Sequence, residues 1–120
     1  GEHRNTIDTK LNGVVPVVDL GRMYALQGRL VVVNTRARVE EALGAEIISQ
    51  SGGRDLLDAY DLVAQTRLEH QARLIKQGKA PDNFLPPASL SDFERSHLRV
   101  AFVVIKTMQS ALMQGRGILG

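Results

Sequence analysis

Three residues within one helical turn, Arg67, His70 and Gln71, are the foremost candidates for chemistry in this 120-residue sequence. They lie in an uninterrupted helical pattern over residues 54–76. Placed around a wheel at roughly 100° per residue, Leu56, Leu57, Tyr60, Val63, Ala64, Leu74 and Ile75 share one side. Arg67 and Gln71 fall in the middle of that side and His70 at its edge, so polar groups interrupt an apolar stripe. An arginine in such a place is costly unless it is paired and hydrogen-bonded. Two arrangements meet that demand. In one, the residues face a cleft, where arginine holds an anionic group of a ligand, a phosphate or a carboxylate, and His70 and Gln71 orient it. In the other, Arg67 pairs internally with a carboxylate such as Asp19, while Gln71 bonds a loop backbone.

Other polar residues carry weaker signals. Asp19, Arg22 and Tyr24 could add groups to the same cleft from an earlier helix, although helix-end electrostatics, a surface ion pair and core packing are the better account of them. Asn83 stands among prolines, where a side-chain amide braces its own backbone. His3, His70 and His97 are far apart, and none has a ligand four residues on, so no metal site is expected. Gly115, Gly117 and Gly120 spell GxGxxG, but that pattern cradles a dinucleotide only between a strand and a helix, and here it follows a helix. Asp58 and Asp61 read as solvated charges, as do Arg95 and Arg99. No nucleophile, histidine and acid stand in a catalytic order, and no phosphate loop is present. The sequence therefore predicts no catalytic residue.

Composition narrows the class further. Hydrophobic residues make up 43% and charged residues 23%, which predicts one folded core. The absence of cysteine excludes disulfides and thiolate zinc sites and fits a reducing, cytoplasmic setting. Fifteen basic against thirteen acidic residues leave a charge of +2, too weak and too scattered for a nucleic-acid footprint. The apolar runs are far shorter than the roughly 18 residues a membrane span requires, and the polar start does not resemble a signal peptide.

The elements that must position these residues follow from period and punctuation. Residues 1–13 show no helical period and read as an extended lead-in, implying something upstream. Pro16 opens a first helix over 16–27, with Asp19 in its first turn and Gly28 in the left-handed conformation that ends it. Its apolar residues surround most of the circumference, which predicts packing on several sides. Residues 30–33 form an extended connection, and Asn34 or Thr35 caps a short second helix that stops at Gly44. Ile47 and Ile48 plug the core from a bend. Gln50, Ser51, Gly52 and Gly53 break the chain before the long third helix, which Gly78 ends. The segment 79–89, with Pro81, Pro86 and Pro87, is an irregular loop. Ser91 and Glu94 then form a capping box at the start of a fourth helix, whose stripe of Leu98, Ala101, Phe102, Ile105, Met108 and Leu112 calls for the third helix as antiparallel partner. The predicted fold is all-α: an antiparallel bundle of about four helices over residues 14–114, with an extended N-terminal segment, a proline-rich loop before the last helix, and a flexible tail at 115–120.

Read together, IDTKLNGVVPVVDLGRMYAL (residues 7–26), NTRARVEEAL (34–43), RLEHQ (67–71) and GKAPDNFLPPASLSDFERSHLRVAF (78–102) resemble the nucleotidyltransferase substrate-binding domain. In bacterial signalling proteins that domain follows a cyclic-nucleotide-binding-like domain, a pair of CBS domains and a nucleotidyltransferase domain. The resemblance implies a helical bundle beside a polymerase-β-like catalytic domain. That neighbour would hold magnesium and the nucleoside triphosphate; this chain would hold no cofactor and would not be an enzyme alone. By the resemblance, Asp19, Arg22, Arg67, His70, Gln71 and Asn83 are substrate-binding positions, and the preceding domain is the expected partner. The competing expectation is a structural helical module for homodimerisation or for relaying a signal from upstream sensor domains.

Overall fold

The structure is a computed structural model that describes the backbone of residues 6–119 and the side chains of residues 6–114. Within these bounds it is a bundle of four α-helices: α1 (Val15–Gly28), α2 (Thr35–Gly44), α3 (Gln50–Lys76) and α4 (Asp92–Leu119). Two short strands, β1 (Ile7–Asp8) and β2 (Phe84–Leu85), pair antiparallel, with Ile7 opposite Leu85 and Asp8 opposite Phe84. At about 1.5 Å per residue, α3 and α4 are each roughly 40 Å long, and they set the 47 Å long axis of the molecule. They run antiparallel: Gly52 approaches Met108 near one end, and Asp58, Ala59 and Leu62 face His97, Val100 and Ala101 toward the other. Val17, Leu20 and Tyr24 of α1, Val39 of α2, Leu56 and Val63 of α3, and Leu98 and Ile105 of α4 form the centre of the core. Each such side chain contributes roughly 1.5–3 kcal/mol by leaving water.

The start of the chain departs from the extended lead-in predicted for residues 1–13. Residues 1–5 lie outside the described residues, but after β1 the backbone turns at Thr9 into a π-helical turn over Lys10–Val14 that runs into α1. Pro16 explains the π geometry. It has no N–H to donate to the carbonyl four residues back and its ring would crowd that carbonyl, so the ladder shifts and the Val15 N–H reaches Lys10 O, five residues back. Because helical structure already precedes Pro16, Asp19 meets no free helix N-terminus. Nor is α1 wrapped on all sides: Val17, Leu20, Gly21, Tyr24 and Ala25 form its buried face, and Leu26 is exposed.

Glycines act here through close approach more than as breakers. Gly28 is the last residue of α1, where a Cβ would stand 2.2 Å from Ile47 Cδ1, and Arg29, not Gly28, takes the left-handed conformation (φ 54°). Gly52 and Gly53 lie within α3, which begins at Gln50 under a Ser49 cap that accepts from the Gly52 N–H at 3.0 Å. A Cβ on Gly53 would come within 2.7 Å of Leu43 Cδ1, so the second and third helices need that glycine to touch. Gly78 does end α3 with positive φ, its N–H bonding Ile75 O and the Lys79 N–H bonding Leu74 O. Ile47 and Ile48 pack on the core from the bend, as predicted, and residues 30–33 belong to neither helix nor strand. The capping box is complete: Ser91 Oγ accepts from the Glu94 N–H at 3.1 Å, and Glu94 Oε1 accepts from the Ser91 N–H at 2.8 Å. At the other end, α4 continues through Gly115 and Gly117 to Leu119, helical where the sequence suggested a loose tail; Gly120 lies outside the described residues.

Candidate functional site

Arg67, His70 and Gln71 occupy positions i, i+3 and i+4 of α3, so they project together from one face of its C-terminal half. The proline-rich segment crosses that face. It is more ordered than a plain loop, because Phe84 and Leu85 pair with β1 and residues Pro87–Ser89 form a 3-10 turn. The strand pairing holds Asp82 and Asn83 over α3. Asn83 Oδ1 accepts from Arg67 Nε at 2.5 Å and from Gln71 Nε2 at 3.4 Å. The Asn83 backbone carbonyl accepts from both the N–H (2.9 Å) and the hydroxyl (3.1 Å) of Thr9, which is wholly buried. Asp82 Oδ1 accepts from the Phe84 N–H at 2.9 Å and lies 2.8 Å from His70 Nε2. A carboxylate oxygen accepts, which places the imidazole proton on Nε2. His70 is only 5% exposed.

Four predicted residues thus meet, and their internal contacts differ from the pairings expected. Arg67 is half-buried, neither sealed in the core nor paired with a carboxylate; among the described residues it makes no ion pair, and its one hydrogen bond is through Nε. Its Nη groups meet no carboxylate among the described residues. Gln71 bonds a loop side chain rather than loop backbone. Asn83 does not brace itself: it ties α3, the loop and the N-terminal segment into one unit. His70 holds the loop through Asp82. Asp19 and Arg22 do not join the cluster. They are exposed on α1, 3.8 Å from one another, and Asp19 lines a separate cleft of about 140 Å³ against α4. Asp82 and Thr9 belong to the cluster although sequence reasoning missed them. The Asp82 carboxylate bonding an N–H two residues on is a turn signature that could have been read; the Thr9 contact spans 74 residues and has no local signal.

Charges elsewhere are structural. Arg36 bonds Asp61 at 2.6 Å and Glu40 at 3.0 Å, clamping α2 to α3, so Asp61 is not merely solvated. Arg95 pairs with Asp92 and donates to Pro87 O at 3.2 Å, so it too is engaged. The Ser91 hydrogen bonds hold the Glu94 carboxyl below its usual range. No helix of the described residues is long and apolar enough to cross a membrane, and no group of three or more histidine, aspartate or glutamate side chains among them could hold a metal ion.

Comparison with curated proteins and with solved structures gave no match. Comparison with protein families gave one across residues 1–115, a span that takes in all four helices but the last residues of α4 and the whole Arg67–Asn83 cluster. The chain belongs to the family described as "Putative nucleotidyltransferase substrate binding domain".

Proposed function

We propose that this domain binds and positions the acceptor substrate of a nucleotidyl-transfer reaction, and that the reacting groups, with magnesium and the nucleoside triphosphate, are carried by a preceding nucleotidyltransferase domain of the same protein. One observation carries the reading. Arg67 is fixed at Nε by Asn83 while its Nη groups have no carboxylate among the described residues. A guanidinium held at one edge and free at the other offers a pre-organised fork for a phosphate or carboxylate. Gln71 adds an amide beside it, and His70 keeps the loop in place through Asp82. Asp19 and Arg22, outside the cluster, are secondary polar surface in this reading.

The test is nucleotide transfer by the full-length protein to candidate acceptors, compared with a form lacking this domain and with Arg67→Ala. Loss of transfer, or a changed acceptor preference with the triphosphate KM unaltered, supports the reading. Unchanged rate and acceptor choice in both variants sinks it.

A second reading, a module for dimerisation or signal relay, is favoured by Phe93, Val100 and Val103, three large apolar side chains exposed along α4. Sedimentation of the full-length protein with and without Val100→Glu decides it, since an interface there requires the charge to shift the oligomer toward monomer.

A further inference from the structure

The side of α4 turned away from the core lacks the charges that a solvated helix face carries. Phe93, Val100, Thr107 and Gln114 recur every seven residues, and Ser96, Val103 and Ser110 each follow three residues later. All seven are exposed. At about 100° per residue they share one side of the helix, opposite the buried Leu98, Ala101 and Ile105. None is Asp, Glu, Lys or Arg over roughly 30 Å of helix. Phe93 is 70%, Val100 60% and Val103 58% exposed, and the Phe93 ring packs on that of His97 with centroids 4.2 Å apart. A seven-residue period on an exposed face is the seam of a helix pair, because 3.5-residue spacing keeps one stripe against its partner. The stripe that α4 turns to α3 is a different one, so this seam is unpartnered among the described residues.

Charges flank the seam and are separated by sign. On one side stand Arg99 and Lys106, seven residues apart and exposed. On the other side, across a groove of about 270 Å³ lined by Leu62, Val100 and Val104, stand Asp55 and Asp58 of α3. Among the described residues none of these four makes an ion pair.

We propose, resting on the dimerisation reading above, that this face takes a second copy of the chain, with the two α4 helices parallel, in register and related by a two-fold axis that runs along them. Such an axis turns the basic side of each α4 toward the acidic α3 of the other copy. A two-fold across the helices would instead set basic side against basic side and α3 against α3. Height agrees with the parallel pairing. Gly52 lies beside Met108, and Ala59 lines one groove with Ala101, so Asp55 is level with Ile105 and Asp58 with Phe102. Lys106 of the second copy then stands about 1.5 Å from the level of Asp55, and its Arg99 about 4.5 Å from that of Asp58, offsets that long side chains span. Flanking charges of this kind choose partner and orientation in paired helices. The strip is about two helix diameters wide, giving roughly 600 Å² per copy, at the lower limit for a specific interface, so association in the micromolar range is expected.

The chain contains no cysteine, so single cysteines report which positions face their own copies. In the parallel pair, Ser96→Cys and Ser110→Cys each stand opposite themselves, and each alone is expected to form a disulfide-linked dimer on mild oxidation. Across an antiparallel seam centred on Val103, only the two variants mixed would link. Sedimentation equilibrium is expected to show a concentration-dependent dimer. Asp58→Lys should weaken it about five- to tenfold, and adding Arg99→Glu should restore most of the loss, since each pair occurs twice in the dimer. Both positions are exposed, so neither change threatens the fold. A chain that stays monomeric at roughly 0.5 mM overturns this inference and the dimerisation reading together. A dimer in which only the mixed cysteine variants link, or in which Arg99→Glu fails to compensate Asp58→Lys, leaves that reading standing and overturns the parallel pairing.

Discussion

Gly13 is the residue on which the N-terminal part of the molecule turns. It is buried in the π-helical turn, and a Cβ built there would stand 2.4 Å from Val63 Cγ1 and 3.3 Å from Val63 Cβ and Cγ2. Carbon atoms pack at about 3.5–4.0 Å, so Gly13→Ala requires a retreat of about 1.1–1.6 Å. Val63 cannot supply it cheaply. It is fully buried in α3, and a β-branched side chain in a helix has one strongly preferred rotamer. Overpacking of this kind costs about 1–3 kcal/mol. Replacing glycine by alanine in a right-handed helical turn restores about 0.4–1 kcal/mol by restricting the unfolded chain. The net expectation is a loss of about 1–2 kcal/mol. For 120 residues, an unfolding entropy of about 2.1 cal/mol/K per residue converts this to a Tm about 4–8 °C lower. Val63→Ala alone should cost about 1.5–3 kcal/mol through its cavity. It also makes room for the new methyl, so the double variant should be about 1 kcal/mol more stable than the two losses added. Urea unfolding followed by circular dichroism measures all four corners of the cycle. If Gly13→Ala matches or exceeds the parent in stability, or if the two changes add within about 0.3 kcal/mol, the close approach of the π-turn to α3 is wrong.

Asn83→Ala removes the acceptor of Arg67 Nε and Gln71 Nε2 but keeps the backbone bonds to Thr9. A hydrogen bond to a charged group is worth about 1.5–3 kcal/mol; since a half-exposed guanidinium can turn to water, about 1 kcal/mol of lost stability is expected by urea unfolding, falling to about 0.5 kcal/mol, the Gln71 bond alone, when Arg67 is already methionine. Ser91→Ala should cost about 1 kcal/mol at pH 7 by removing the α4 cap. Because the Glu94 carboxyl is held below its ordinary range in the folded chain, its contribution is present above that range and is lost as pH falls through the depressed value. Ser91→Ala keeps the backbone N–H from which this carboxylate accepts, whereas Glu94→Ala removes the acceptor: the stability gap between parent and Glu94→Ala should therefore narrow between pH 5 and pH 3, and a constant gap would contradict the reciprocal bonding.

Much of the bundle was legible because its signals are local. The Ser91 and Glu94 box, the Asn34 cap, the positive-φ stop at Gly78 and the three- and four-residue spacing from Leu98 to Ile105 each depend on residues within a turn or two, where propensity and hydrogen bonding act without help from the rest of the chain. The same wheel found Arg67 and Gln71, since a polar break in an apolar stripe is visible wherever the helix packs.

What the sequence alone could not settle depends on contacts between distant residues. Gly28, Gly52 and Gly53 look like breakers until Ile47, Met108 and Leu43 come to rest against them. Ile7 and Asp8 cannot be assigned to a strand without Phe84 and Leu85, which lie more than 70 residues away. The partner of Arg67 is the clearest case. A half-buried guanidinium demands a hydrogen-bond acceptor, and that demand is written in the sequence. That Asn83 answers it, rather than the carboxylate of Asp19, is decided by tertiary structure alone, because β-pairing with the N-terminal segment fixes where the proline-rich loop crosses α3.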